Sequence, residues 1–204
     1  LDRSAFQLPA HDAAGCDNEP WRPYNASPDA LLINYKSVAV NIAPDTGAGV
    51  ARIQYDPPMF GMDNQQTLAL AAPNSDCGDW RSKMQLDMAN PQRIAFNEGM
   101  WPELGGKLTG SAHDGTVPQG LQPAFQLESP ALSEVVRDIN KYSNNIMAQH
   151  VLLTLGMQRT GVTNYESARQ SLAQWWTARL GNIEQPAVDN GAGLSRNASI
   201  TANG

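Results

Sequence analysis

A polar stretch interrupts an apolar helical pattern in the second half of the chain. Residues 138–150 read DINKYSNNIMAQH, with apolar residues before and after the interruption. The preceding segment has apolar residues at i, i+3, i+4 and i+7, the spacing of one helix face: Leu132, Val135, Val136 and Ile139. A core helix running unbroken through this stretch would bury a run of hydrogen-bonding side chains, so the pattern argues for a break.

The position of the break follows from two of the polar residues. Ser143 and Asn145 are two positions apart, and on one continuous helix their side chains would point about 200° apart. We therefore predict a first helix ending near Asn140 and a second starting near Asn144, with Ser143 as its N-cap. The pattern alone is also compatible with a plain helix–helix corner whose polar groups only serve as caps.

The flanking sequence predicts where the helices begin and end. A Ser cap followed by Pro predicts a start at Ser129-Pro130. The second helix is expected to stop at Gly156, and a third is expected from Thr163-Asn164 to Gly181. We expect the third helix to turn these side chains inward: Tyr165, Ala168, Leu172, Trp175, Trp176 and Leu180.

The sequence pattern in the first half of the chain predicts β structure. Residues 30–96 contain short apolar or alternating runs broken by Pro, Asn, Asp and Gly. The runs are ALLIN, SVAVNIAPD, GVARIQYDPP, QTLALAAP, SKMQLDMA and RIAFNEG. Residues 1–6 resemble the end of a strand, and residues 105–128 predict a strand, a turn and an extended connection.

Composition excludes several classes of partner. The 204 residues include only 14 Lys and Arg, without a cluster, and the net charge is −6, which argues against nucleic acid. No apolar run is long enough to cross a membrane. The three histidines are scattered, so no metal site is predicted, and we expect no cofactor. His150 is expected to be structural.

The two cysteines both lie in polar turn sequence, whereas free cysteines are more often buried. We expect Cys16 and Cys77 to form a disulfide, which favours an oxidising compartment. The alternative is two unpaired thiols in loops.

Two segments resemble a known enzyme family. KYSNN, residues 141–145, resembles the Ser-x-Asn motif of penicillin-recognising serine enzymes. The longer stretch SPALSEVVRDINKYSNNIMAQ, followed by NGAGLSR at residues 190–196, resembles the class C low-molecular-mass penicillin-binding proteins. These are periplasmic D-alanyl-D-alanine carboxypeptidases and endopeptidases. Ala192 stands where the family has Ser, and LDRSAF at residues 1–6 resembles a stretch in the family's non-catalytic domains.

The resemblance implies roles for individual residues. Ser143 would pass a proton to the leaving D-alanine, and Asn145 would hold the substrate amide. Arg196 would bind the carboxylate of the diaminopimelate side chain, and Asp2 its ammonium group. Phe6 and Leu194 would lie beside them. The implied partners are peptidoglycan stem peptides and β-lactam antibiotics, and the implied compartment is the periplasm.

The resemblance also implies a multi-domain α/β (α+β) fold. Residues 1–28 would end a small inserted domain, residues 29–125 would form a β-rich inserted domain, and residues 126–204 would be the helical part of a β-lactamase/transpeptidase-like domain. Most of that domain's sheet would lie outside this chain. A second copy or complementary segments would then cover these side chains: Val135, Ile139, Leu172 and Trp175.

Two family motifs are not found. No Ser-x-x-Lys occurs, because none of the four lysines has a serine three positions before it. Gly106-Lys107-Leu108-Thr109-Gly110 mimics the family's Lys-Thr-Gly but carries an extra Leu, so we interpret it as an ordinary strand. The resemblance also implies more chain between the strand RIAFNEG and the segment EGMWPELGG, so either a true deletion or omitted residues are expected at Asn97–Glu98. We therefore expect an internal fragment, inactive alone, of a serine D-Ala-D-Ala carboxypeptidase. The alternative is a non-catalytic peptidoglycan-binding or scaffold homologue.

Overall fold

The structure is a computed structural model that describes residues 1–20, 22–58, 66–70, 113–181 and 183–201. It divides into two units, one formed by Leu1–Tyr35 with His113–Gly204 and the other by Lys36–Ala112. The described residues contain three α-helices and a three-stranded sheet. The multi-domain transpeptidase-like fold and the domain boundaries after residues 28 and 125 remain predictions.

The first unit contains the helices. Helix α1 spans Leu132–Tyr142, α2 spans Asn145–Thr160 and α3 spans Tyr165–Leu180. The predicted start of α1 at Ser129-Pro130 is wrong. The helix begins after Ala131, whose side chain makes no capping hydrogen bond, and residues 129 and 130 remain non-helical and exposed.

The predicted break between the first two helices is confirmed, but its caps differ from the prediction. Ser143 ends α1 in the left-handed conformation (φ 51°, ψ 47°), and its backbone N–H donates to Ile139 O. Asn144, not Ser143, is the N-cap of α2, because its side-chain oxygen accepts the Met147 N–H at 3.1 Å. Ser143 thus lies in the corner, with its side chain outside both helices' capping bonds.

Gly156 does not end α2, which was the expectation. The helix continues to Thr160 and ends at Gly161, which has φ 73°. A Cβ at position 156 would lie 2.8 Å from the Ala168 Cα and would also collide with Thr163 Oγ1. Gly156 is therefore a close-packing glycine that lets α2 and α3 approach each other.

The core of this unit lies between α2 and α3. Its buried residues include Ile146, Leu152, Leu153, Thr163 and Ala168. Both predicted ends of α3 are confirmed: Asn164 and Ser167 form a reciprocal capping box, and Gly181 follows the last turn.

Two of the side chains that α3 was expected to turn inward are exposed. Trp175 is 55% exposed and Leu180 is 38% exposed. The neighbouring Trp176 is directed toward the C-terminal segment instead, where its Nε1–H donates to Ile183 O at 3.0 Å. Since adjacent helical positions diverge by about 100°, Trp175 points elsewhere. Of the four side chains expected to need a cover, Val135, Ile139 and Leu172 are half-buried.

Each terminal segment contains one isolated β-bridge. Residues 1–6 do not form a strand, but Phe6 pairs with Thr163 in a parallel bridge, with Gln7 N donating to Thr163 O at 2.7 Å. At the other end, Ala187 and Ser199 exchange two hydrogen bonds of 2.8 and 3.0 Å. The second bridge closes the loop that carries NGAGLSR, residues 190–196, which we call the Gly-rich segment.

The second unit contains an antiparallel sheet in the order β1-β2-β3. Its strands are β1, Ala39–Asp45; β2, Val50–Asp56; and β3, Thr67–Ala69. These confirm three of the predicted strands. The run ALLIN was also predicted as a strand, but it leads into a 3-10 turn at Asn34–Lys36, where Tyr35 has φ 53°.

Other predictions for the first half have mixed outcomes. Residues 113–128 form a connection without helix or strand, as predicted, with a turn at 119–120. The predicted strands in residues 81–112, including Gly106–Gly110, and the position Asn97–Glu98 lie outside the described residues. The structure does not support the expected disulfide: Cys16 is an exposed free thiol, and Cys77 lies outside the described residues.

Candidate active site

The corner between α1 and α2 presents the Ser143 hydroxyl to solvent. Ser143 is exposed, and within the described ranges its hydroxyl makes no hydrogen bond. A serine hydroxyl can both donate and accept. The left-handed backbone at Ser143 therefore places an uncommitted proton donor and acceptor at the start of α2.

Asn145 begins α2 and is tied to a distant part of the chain. Its Nδ2 donates to the backbone carbonyl of Ala192 at 2.7 Å. The side chain is half-buried, and its Oδ1 has no hydrogen-bond partner among the residues described. The Nδ2 end of the Asn145 carboxamide is thus fixed, and its Oδ1 remains able to accept a hydrogen bond.

The Gly-rich segment packs closely against α2. Gly191 has φ 79°, and a Cβ there would lie 2.9 Å from Leu152 Cδ2. Ala192 is only 7% exposed, and its N–H donates to Asn190 Oδ1 at 3.0 Å. Gly191 is required here both for the left-handed turn and for the close approach to the helix. The two segments that carry the family resemblance therefore meet in the structure.

The end of the same segment faces solvent. Arg196 is exposed and makes no ion pair with any described residue, and Leu194 is 41% exposed. Ser195 Oγ accepts the Asn197 N–H at 3.2 Å, which turns the chain directly after Arg196. The guanidinium of Arg196 is available to a carboxylate from outside the chain.

The Asp2 carboxylate accepts hydrogen bonds from two nearby residues. It accepts hydrogen bonds from Ser4 Oγ at 2.6 Å, Ser4 N at 3.0 Å and Val117 N at 2.7 Å. These bonds, led by the Ser4 hydroxyl, lower the pKa of Asp2 to about 2. Asp2 is therefore an anion at neutral pH. Within the described part of the chain, Asp2 makes no hydrogen bond or ion pair with Arg196.

Phe6 lies at the wall of a cavity of about 680 Å³ and against the edge of the His150 ring, 5.3 Å between centroids. His150 Nε2 also accepts the Asp29 N–H at 3.2 Å, and Asp29 is ion-paired with Arg3. His150 thus joins α2 to two N-terminal segments, in line with the structural role expected for it. The sequence pattern had not indicated Arg3 or Asp29.

A second polar group behind the Gly-rich segment was also missed. Arg169 donates from Nη1 to Asp189 O at 2.9 Å. Tyr165 OH donates to the buried Gln149 at 2.6 Å, and burial together with the charge of Asp189 raises the pKa of Tyr165 to about 12. The i,i+3 pair Glu166–Arg169 was visible in the sequence, but its link to Asp189 spans 20 residues.

Metal and membrane features are not seen in the part of the chain that the structure describes. No group of three His, Cys, Asp or Glu side chains there could hold a metal ion. No described helix is long and apolar enough to cross a membrane.

Comparison with known protein families identifies the class. The model of the D-Ala-D-Ala carboxypeptidase 3 (S13) family matches residues 81–204, more than half of the chain. The chain belongs to this D-Ala-D-Ala carboxypeptidase family. The match includes Ser143, Asn145, Leu194 and Arg196, whereas Asp2 and Phe6 precede it. Comparison with curated proteins and with solved structures gives no match.

Proposed function

We propose that this chain is part of a class C low-molecular-mass penicillin-binding protein, a serine-type D-Ala-D-Ala carboxypeptidase that also cleaves peptidoglycan cross-links in the periplasm. The observation that carries the proposal is the 2.7 Å hydrogen bond from Asn145 Nδ2 to Ala192 O. It joins the Ser-x-Asn segment to the Gly-rich segment, and both lie within the residues that match the family.

The proposed chemistry is acyl transfer through a serine. A nucleophilic serine oxygen attacks the carbonyl carbon of the penultimate D-alanine, and the amide bond to the terminal D-alanine breaks. The Ser143 hydroxyl relays a proton to the leaving amine nitrogen. Asn145 holds the substrate amide through its remaining acceptor. Water then hydrolyses the acyl-enzyme ester, releasing the shortened peptide and regenerating the serine.

The nucleophile has to be supplied from outside these residues. None of the four lysines is preceded by Ser three positions earlier: Lys36, Lys83, Lys107 and Lys141. We propose that the enzyme containing this chain provides the Ser-x-x-Lys and Lys-Thr-Gly motifs elsewhere, and that the chain alone is inactive. β-Lactams would acylate the same nucleophile, because their strained amide resembles the scissile peptide bond.

Substrate choice is proposed to depend on the third residue of the stem peptide. Diaminopimelate ends in one ammonium and one carboxylate group. The exposed guanidinium of Arg196 suits the carboxylate, and the ionised Asp2 suits the ammonium. Leu194 and Phe6 would provide apolar contacts beside them.

The test is to treat the full-length protein with a fluorescent penicillin and, separately, with a diaminopimelate pentapeptide. We expect covalent labelling of one serine and release of D-alanine. The isolated chain of 204 residues serves as the matched blank. An intact full-length protein that neither labels nor releases D-alanine would exclude the proposed activity.

A second candidate function is a non-catalytic peptidoglycan-binding or scaffold protein. The observation that favours it is the lack of Ser-x-x-Lys in the sequence. The encoding open reading frame distinguishes the two: an additional Ser-x-x-Lys in the same reading frame supports the enzyme. If the reading frame contains no such motif, pull-down with insoluble peptidoglycan tests the binding function directly.

A further inference from the structure

Arg169 connects helix α3 to the entrance of the Gly-rich segment. Its Nη1 donates to Asp189 O at 2.9 Å and lies 3.9 Å from Asp189 Oδ1. Its Nη2 donates to Glu166 Oε2 at 2.8 Å. Two nitrogens of one planar guanidinium thus hold two partners in a fixed geometry, which a lysine ammonium on a flexible chain cannot reproduce.

Glu166, the partner of Arg169 on α3, makes a further hydrogen bond of its own. Glu166 also accepts from Gln170 Nε2 at 2.9 Å. Hydrogen bonds from Arg169 and then from Gln170 lower the pKa of Glu166, so it is ionised at neutral pH. The Arg169 side chain is 35% exposed, which makes it the less exposed partner of the pair with Glu166. The guanidinium therefore has a defined orientation toward the loop.

The loop between Asp189 and Ala192 is short and internally braced. Asn190 Oδ1 accepts the Ala192 N–H at 3.0 Å, and Gly191 is packed against Leu152 of α2. Ala192 O then accepts from Asn145 Nδ2. Asp189 is thus connected to the Asn145 carboxamide through the short segment that ends at Ala192.

We infer that Arg169 is a positioning residue for the acyl-transfer site, an inference that rests on the proposed function. It touches neither substrate nor reacting atoms. It holds Asp189 so that Ala192 O fixes one end of the Asn145 carboxamide and leaves Oδ1 directed for the substrate amide.

The experiment compares Arg169→Ala, Arg169→Lys and Arg179→Ala in the full-length protein. Arg179 lies in the last turn of the same helix and is exposed. Arg179→Ala therefore controls for the loss of one positive charge from α3. Two quantities are measured with fluorescent penicillin: the second-order rate constant of labelling and the fraction of protein labelled at saturation. A merely structural role lowers the labelled fraction, whereas a positioning role lowers the rate constant of fully labelled protein.

We expect Arg169→Ala to label completely but about tenfold more slowly, with Arg169→Lys intermediate and Arg179→Ala unchanged. In an Asn145→Ala background, Arg169→Ala should cause little further loss, because both act through one carboxamide. A wild-type rate constant for Arg169→Ala, or a full additional loss in the Asn145→Ala background, would overturn the inference.

An unlabelled wild-type protein would instead count against the proposed function. The loop contact is then tested by amide hydrogen exchange, which needs no activity. The Ala192 N–H, which is bonded to Asn190 Oδ1, should exchange faster in Arg169→Ala than in Arg179→Ala. Equal exchange in the two variants would refute the claim that Arg169 holds this loop.

Discussion

The Asn145 side chain and the Ala192 backbone are 47 residues apart in sequence and are joined by a 2.7 Å hydrogen bond. Asn145 is the first residue of α2, directly after the Ser143 corner, and Ala192 lies in the middle of the Gly-rich segment. This single contact places Ser143, the proposed proton relay, Asn145, the proposed amide anchor, and the segment leading to Arg196 around one end of α2. A site built this way can be tested one residue at a time.

Replacing Arg196 with Ala in the full-length protein should separate β-lactam acylation from peptide hydrolysis. Penicillin carries no diaminopimelate side chain, so labelling should remain at the wild-type rate. Hydrolysis of diaminopimelate peptides should fall about ten- to a hundredfold in kcat/KM, the range for losing a charge-assisted hydrogen bond.

The matched substrate control is a peptide in which the third residue lacks the free zwitterion. The Arg196→Ala variant should hydrolyse this peptide as well as the wild type does. Equal losses of activity on both peptides would show that Arg196 is structural. The control variant is Arg137→Ala, which removes the positive charge of an exposed arginine on α1.

Substituting Gly156 with Ala should destabilise the protein although Ala is the better helix former. The added Cβ would lie 2.8 and 2.9 Å from the backbone of Ala168. Overpacking of this kind costs about 1–3 kcal/mol, which exceeds the gain of about 1 kcal/mol in helix propensity. Urea unfolding measures the difference.

Gly115 is the matched glycine for that experiment. A Cβ at Gly115 meets nothing within 4 Å, and the residue has no positive φ. Gly115→Ala should therefore leave the free energy of unfolding unchanged or slightly raise it. If Gly156→Ala were as stable as Gly115→Ala, the close contact between α2 and α3 at this position would be wrong.

Acid should remove a contribution of Asp2 to stability. The hydrogen bonds from Ser4 and Val117 lower the pKa of Asp2 from 3.8 to about 2 in the folded protein. The stabilisation is therefore present above about pH 4 and lost as the pH falls toward 2. Asp2→Asn should flatten the pH dependence of unfolding in this window.

The pKa of Asp2 can also be measured directly by following its carboxyl carbon by NMR. Ser4→Ala removes the hydrogen bond that contributes most to the shift, so it should raise the pKa toward 3.8. A wild-type pKa at the ordinary value would contradict the described hydrogen bonds.

The sequence was most informative where the determinants are local. The break between α1 and α2 and both ends of α3 could be predicted, because Asn and Gly caps act within a few residues. The same reasoning failed at Gly156, since the reason for that glycine is a contact with Ala168 on another helix. It also assigned the N-cap of α2 to Ser143 where Asn144 serves, because both residues are good caps and the pattern cannot choose between neighbours.

Contacts between distant segments could not be predicted from periodicity. The resemblance identified Asn145 and Arg196 separately, but the pairing of Asn145 with Ala192 and the hold of Arg169 on Asp189 depend on how α2 and α3 meet the C-terminal loop. Trp175 shows the same limit, since an apolar stripe reports which side chains are apolar and not which of them a neighbour covers.

The most direct test of the central claim is the rate of acylation by fluorescent penicillin in full-length wild type and in Asn145→Ala. Asn197→Ala, an exposed asparagine just beyond the loop, is the control. We predict that the wild type and Asn197→Ala label at the same rate and that Asn145→Ala labels at least about tenfold more slowly while its labelled fraction at saturation stays complete. Labelling of Asn145→Ala at the wild-type rate would show that the contact between Asn145 and Ala192 does not belong to the acyl-transfer site.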